Sequence, residues 1–220
     1  MRDVAASARL LPAVVPGPAG SLEALLRLPE APKGSAVIAH PHPLHGGTMH
    51  TKVVHRAAKI LADRFSLAAL RFNFRGVGAS QGTYDEGRGE VDDVRAACSW
   101  VRERYPEGPF VLGGFSFGSV AALKAAASVS PDLLFLMGIP LDRFDPASVP
   151  LPAGLPVVWI QGERDGFGSG ERAREAAGKA GFSLATVAEA DHFFAGRLDA
   201  FEEAATARLS EAFAGTGVSR

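Results

Sequence analysis

Short apolar runs alternate with stretches of helical periodicity along most of the chain. Runs typical of strands occupy residues 10–15, 22–28, 36–39, 67–74, 109–113, 133–137, 157–161 and 183–187. Helices are predicted over residues 51–65, 90–104, 117–128, 171–180 and 194–213. The helical period is clear over residues 90–104, where one face carries Val91, Val94, Ala97, Cys98 and Val101.

The order of these elements predicts an α/β fold. Strands that alternate with helices indicate a mostly parallel sheet with helices on both faces. The first two strands flank the turn sequence PGPAG at residues 16–20, which predicts an antiparallel N-terminal hairpin. We therefore predict a single domain over residues 1–220, with a ligand site beyond the carboxyl ends of the strands.

Composition and charge argue against several classes of protein. The chain has 220 residues, with 23 basic and 24 acidic side chains and a formal net charge of -1. No block of like charges marks a nucleic-acid or membrane-binding arm. No segment approaches the roughly 20 apolar residues of a membrane span, and no signal pattern opens the chain. The single cysteine, Cys98, cannot form an intrachain disulfide. We expect a cytoplasmic protein that binds neither nucleic acid nor membrane.

The strongest chemical signal is a Gly-x-Ser-x-Gly motif, GFSFG, at residues 114–118. It follows a predicted strand and opens a predicted helix, which is the context that presents a nucleophilic serine. The glycines allow a sharp turn, and the helix N-terminus directs free N–H groups towards the place where an oxyanion would form. Ser116 is therefore the predicted nucleophile, and the N–H of Phe117 is one predicted oxyanion donor.

A serine nucleophile needs a base and a group that orients the base. His192, which follows the last predicted strand, is the predicted base, and Asp165, which follows the strand before it, is the predicted acid that orients the base. The order serine, aspartate, histidine is that of α/β-hydrolases. Glu163 and Asp142 are competing acids, Asp142 because it follows the preceding strand.

The second oxyanion donor is expected in the loop after the third strand, HPHPLHGG at residues 40–47. Pro41 and Pro43 have no N–H, which leaves His42 as the first candidate and Leu44 as the next. An apolar substrate pocket is predicted to be lined by Leu44, Phe115 and Phe193.

The same loop offers a competing hypothesis. His40 and His42 form a His-x-His pair with three further histidines nearby, so a metal site is conceivable. No His-Glu-x-x-His or cysteine spacing accompanies the pair, and we predict no metal and no cofactor. The glycine-rich segment at residues 76–78 lacks the Lys-Ser/Thr pair of a phosphate loop. It is interpreted as a turn, with Arg75 bracing the site wall.

Four ordered matches give the sequence a family resemblance. The segments HPHP (40–43), RFNFRGVGAS (71–80), GFSFG (114–118) and HFF (192–194) resemble those of small bacterial α/β-hydrolases without a lid. The chain also resembles dienelactone hydrolases, which use cysteine where this chain has serine. Members of the group are commonly described as carboxylesterases. The resemblance implies a cofactor-free serine hydrolase that acts on small-molecule esters.

The segment between the sixth and seventh predicted strands is too short to form a cap over the site. About sixteen residues separate Met137 from Val157, where many relatives insert a cap domain, so an open site is expected. Thioesterase, amidase and acyltransferase activities would use the same residues. A non-catalytic binding protein and a metal-dependent hydrolase are further alternatives. A monomer or a homodimer is equally compatible with the sequence.

Overall fold

The computed structural model describes residues 8–215, in which eight strands form one sheet in the order β1-β2-β4-β3-β5-β6-β7-β8. The strands are β1 (Arg9–Gly17), β2 (Gly20–Leu28), β3 (Gly34–Ala39), β4 (Leu67–Phe72), β5 (Phe110–Phe115), β6 (Leu133–Met137), β7 (Val157–Gly162) and β8 (Ser183–Val187). The helices are α1 (Lys52–Phe65), α2 (Gly89–Arg104), α3 (Phe117–Val129), α4 (Gly170–Ala180) and α5 (Leu198–Gly215).

The sheet is parallel from β4 to β8 and antiparallel only where β1 and β2 join it. This confirms the predicted fold, including the N-terminal hairpin. Pro12 and Pro16 lie in β1, the outermost strand, where a missing N–H leaves no gap in the centre of the sheet. The strands β3 to β7 are buried throughout their length, as expected for a sheet covered on both faces.

Two hydrophobic layers enclose the sheet. One packs α2, α3 and α4 against its first face, and the other packs α1 and α5 against the second. Because parallel strands end at one edge, the loops after β3, β4, β5, β6, β7 and β8 meet there. Between β6 and β7 the only helical segment is the short 3-10 turn Pro146–Ser148, so no cap covers this edge. Within residues 8–215, no helix combines the length and apolar character needed to cross a bilayer.

Two predicted boundaries were wrong for a local reason. The closing helix begins at Leu198 rather than at residue 194, because Phe194 (φ 52°) and Gly196 (φ 67°) adopt a conformation that no α-helix contains. The fourth strand ends at Phe72 rather than at residue 74, since the chain then turns towards Gly76, which has a φ of 73°.

A buried ion pair holds the loop after β4 against α2. The guanidinium of Arg75 donates to Asp93 Oδ1 at 2.7 Å through Nη2, and the Arg75 backbone N–H donates to Oδ2 at 3.0 Å. The Asp93 side chain is 0% exposed and that of Arg75 is 10% exposed. The carboxylate raises the pKa of Arg75 through this hydrogen bond. The predicted bracing role of Arg75 therefore has a specific partner in α2.

Replacing Asp93 should destabilise the protein far more than replacing its neighbour Asp92. Asp93→Ala leaves a buried guanidinium without its counter-charge, which costs about 3 to 5 kcal/mol. Asp92 pairs with Arg95 on the surface, with half its side chain exposed, so Asp92→Ala should cost less than about 1 kcal/mol. Urea denaturation of both variants measures the two free energies of unfolding. Equal losses would show that the Arg75–Asp93 pair is no more important than a surface pair.

Candidate active site

The junction between β5 and α3 holds Ser116 in a strained conformation. Its φ is 56° and its ψ is −119°, outside the regions that most residues adopt. The flanking glycines are required by close backbone contact. A Cβ at Gly114 would lie 2.2 Å from the carbonyl of Gly118, and one at Gly118 would lie 2.4 Å from the oxygen of Ala39. The turn therefore presents the serine hydroxyl at the carboxyl edge of the sheet.

His192 lies between β8 and α5 and reaches Ser116 across the sheet edge. Its Nε2 is 2.9 Å from Ser116 Oγ, and its Nδ1 is 2.7 Å from Asp165 Oδ2. An ionised carboxylate only accepts hydrogen bonds, so Nδ1 carries the proton in this arrangement. Nε2 is then an acceptor for the Ser116 hydroxyl. The side chain of His192 is 7% exposed, which shields both bonds from competing water.

Asp165 follows β7 in a tight turn and is buried. Its Oδ1 accepts the N–H of Phe167 at 2.8 Å, and its Oδ2 accepts from the amide of Gln161 at 2.8 Å as well as from His192. The two competing acids are engaged elsewhere. Glu163 accepts from Arg174 at 2.8 Å, and Asp142 lies 3.5 Å from Arg143. The structure thus brings Ser116, His192 and Asp165 together in one hydrogen-bond chain.

The backbone around Ser116 offers donors for an oxyanion. Phe117 is the first residue of α3, where helix N–H groups have no partner within the helix. Within residues 8–215, the N–H groups of Phe117 and His42 donate no hydrogen bond. The N–H of Leu44 is instead taken by the His42 ring at 3.2 Å. The geometry therefore favours His42 over Leu44 as the second donor.

His40 is buried and fixes the start of the loop at residues 40–47. Its Nδ1 lies 2.6 Å from the oxygen of Pro41, and its Nε2 accepts the N–H of Phe74 at 3.0 Å. Burial lowers the pKa of His40 from 6.5 to about 4, so the ring is neutral. Because both ring nitrogens bind backbone groups, His40 is not free to bind a metal. Across residues 8–215, no three His, Cys, Asp or Glu side chains are grouped to hold one.

The rim of the site is more aromatic than the sequence motifs suggest. Leu44 is 66% exposed and Phe193 is 52% exposed, so both predicted pocket residues face solvent. Phe115, also predicted to line the pocket, is instead fully buried beneath the His192 ring, with centroids 5.0 Å apart. The sequence motifs missed Phe167, whose ring packs edge-on against His192 at 4.7 Å. They also missed Tyr84, whose hydroxyl is 3.3 Å from His42 Nε2.

Comparison with known proteins agrees with this geometry. A family model described as serine aminopeptidase, S33, matches residues 35–138. An uncharacterized protein of Rickettsia prowazekii is 32% identical over 202 residues, which cover 86% of this chain and 84% of the relative.

Two solved structures are similar over nearly their whole length. An α/β serine hydrolase without a lid from Xanthomonas campestris is 33% identical, with a TM-score of 0.85 over 92% of this chain and 94% of the other. An α/β serine hydrolase homologue from Coxiella burnetii is 35% identical, with a TM-score of 0.83 over 90% and 97%. The chain belongs to the α/β serine hydrolases without a lid.

The neutral state of His40 should weaken folding at low pH. Its pKa is lowered from 6.5 to about 4, so between these values the unfolded chain binds a proton that the folded protein does not. Stability from this residue is complete above pH 6.5, and about 3 kcal/mol is lost as the pH falls to 4. His40→Gln removes this titration and keeps an acceptor for the N–H of Phe74. The difference in unfolding free energy between wild type and His40→Gln should therefore narrow on acidification. Parallel pH profiles would contradict this account.

Proposed function

We propose that this protein is an esterase that cleaves small carboxylic esters through an acyl-enzyme at Ser116. The observation that carries the proposal is the continuous hydrogen-bond chain from Ser116 through His192 to Asp165. It supplies a nucleophile, a base in contact with it, and a carboxylate that orients the base, which together are the requirements for acyl transfer.

The proposed reaction has two similar halves. Ser116 Oγ attacks the ester carbonyl while its proton passes to His192 Nε2, and Asp165 stabilises the imidazolium that forms. The N–H groups of Phe117 and His42 bind the oxyanion. As the intermediate collapses, the proton moves from His192 to the departing alcohol. Water then attacks the acyl-enzyme with His192 again as base, which releases the acid and restores Ser116.

The surroundings of the site support small substrates. Within residues 8–215 no cap covers the sheet edge, and the rim carries the exposed apolar side chains Leu44, Phe167 and Phe193. These side chains offer contact surface to a short acyl or aryl group. The description of the matched family model as a serine aminopeptidase makes amide cleavage the first alternative to test. Thioester cleavage and acyl transfer to acceptors other than water are the next alternatives to test.

A fluorophosphonate probe should label Ser116, because it reacts only with a serine activated by a base. Mass spectrometry of the labelled protein identifies the modified residue. Ser116→Ala and His192→Ala should each lower hydrolysis of p-nitrophenyl acetate by about 10⁴-fold or more, with the fold intact by circular dichroism. A chelator should have no effect. Folded wild-type protein without labelling would contradict the proposal.

A panel of short esters, a thioester and an anilide then ranks substrates by kcat/KM. An anilide or thioester preferred over the matched ester would overturn the esterase assignment while keeping the same catalytic residues.

A further inference from the structure

Gln161 lies in β7 beneath the proposed catalytic residues, and its side chain is fully buried. Its Nε2 donates to Asp165 Oδ2 at 2.8 Å and to the carbonyl oxygen of Gly168 at 2.7 Å. Its Oε1 accepts the indole N–H of Trp159 at 2.8 Å. Nε2 also lies 3.4 Å from the carbonyl oxygen of Ile139. Both polar atoms of the amide therefore have partners in a site closed to water.

The chemistry of its neighbours permits only one orientation of this amide. The indole of Trp159 can only donate, whereas the Gly168 carbonyl and an ionised Asp165 can only accept. A flipped amide would place oxygen against two acceptors and N–H groups against a donor. Residues two apart in a strand share a face, so β7 itself aligns Trp159 beneath Gln161. Trp159 thus fixes which end of Gln161 faces the active site.

The consequence is greatest at Asp165. Both of its oxygens receive N–H donors, Oδ1 from Phe167 and Oδ2 from Gln161 and His192. These three hydrogen bonds fix the plane of the carboxylate. An Asp165 held in this way keeps the proton of His192 on Nδ1 and leaves Nε2 free for Ser116.

We propose that Gln161, oriented by Trp159, is a positioning residue that holds Asp165 in the geometry needed to activate His192. This inference rests on the proposed serine hydrolase function. Gln161 acts through Asp165 and is sealed from solvent, so it does not contact the substrate. Its loss should therefore slow the chemical step and leave substrate binding unchanged.

Two variants separate positioning from packing. Gln161→Met keeps the length and apolar volume of the side chain but removes its hydrogen bonds. Gln161→Glu keeps the shape of the side chain. The introduced carboxyl group can donate a hydrogen bond only at a pH where it is protonated. When protonated, the introduced carboxyl group would accept from Trp159 and donate its single O–H to Asp165, and the donor bond to Gly168 would be lost. When ionised, it would have no donor and would place a second negative charge beside Asp165. Burial and the neighbouring Asp165 both favour the protonated form, so the pKa of the introduced glutamate should lie well above its ordinary value.

The measurement is the second-order rate of fluorophosphonate labelling at Ser116 from pH 6 to pH 9, together with kcat and KM on p-nitrophenyl acetate. Gln161→Met should slow labelling and kcat by about tenfold or more, with KM within about twofold of wild type. For Gln161→Glu, the rate relative to wild type should fall as the pH rises. Gln81→Met is the matched control, because Gln81 is exposed and its side chain accepts the N–H of Ser21 in the N-terminal hairpin.

The outcomes distinguish this inference from the function on which it rests. If wild-type Ser116 is not labelled, the serine hydrolase function itself fails. If wild type is labelled and Gln161→Met reacts within about twofold of it, only the positioning role fails. Equal rates for the two variants at every pH would also overturn the role, since packing alone has no pH dependence. If Gln161→Met does not fold, the pH-dependent loss in Gln161→Glu decides the question.

Discussion

The structure depends on one sharp reversal of the backbone between β5 and α3. There Gly114 lies against Gly118 in α3, and Gly118 lies against Ala39 at the end of β3, so neither glycine has room for a Cβ. Ser119 is fully buried in the first turn of α3. Its Oγ donates to the oxygen of Gly114 at 2.6 Å and accepts the N–H of Met137 at 3.1 Å. The N–H of Ser116 donates to the carbonyl of Met137 at 2.9 Å. These bonds to β6 hold the serine in a conformation that its own preferences disfavour.

The remaining loops at the sheet edge are anchored to the core in a similar way. Asn73 accepts the N–H of Met49 at 2.8 Å, and the buried guanidinium of Arg71 donates to the carbonyl oxygen of Met49 at 2.6 Å. Burial lowers the pKa of Arg71 to about 10, because the charged guanidinium is less well solvated there. With His40, these contacts attach the segment that carries His42 to β4 at both ends. The backbone N–H of His42, the proposed second oxyanion donor, is thus fixed before any ligand binds, which is the condition for electrostatic stabilisation.

Sequence patterns were sufficient for the fold, and the three residues they proposed as serine, acid and base lie in one hydrogen-bond chain in the structure. The strand–serine–helix motif is a local pattern, and each acid or base candidate follows a recognisable strand. The sequence favoured Asp165 over the competing acids Asp142 and Glu163 by chain order alone, because the contacts of each acid depend on the turns that follow β6 and β7. Phe115 was placed in the pocket by its proximity to Ser116. In the structure strand alternation instead directs it beneath His192. Phe167 and Gln161 carry no motif at all, and their roles arise only from tertiary contacts.

The buried part of the site is defined by groups with a single hydrogen-bonding role. Trp159 only donates, and an ionised Asp165 only accepts, so the intervening amide of Gln161 has one satisfied orientation. The same reasoning places the proton of His192 on Nδ1 and leaves the Ser116 hydroxyl to donate to Nε2. A polar network in a hydrophobic interior is costly when any member is unpaired. A misplaced proton or a flipped amide would leave buried polar groups unpaired. The arrangement that links Gln161, Asp165, His192 and Ser116 is therefore the most stable one. Asp165 lies at the centre of this network, because it accepts hydrogen bonds from Gln161 in the core and from His192 at the carboxyl edge of the sheet.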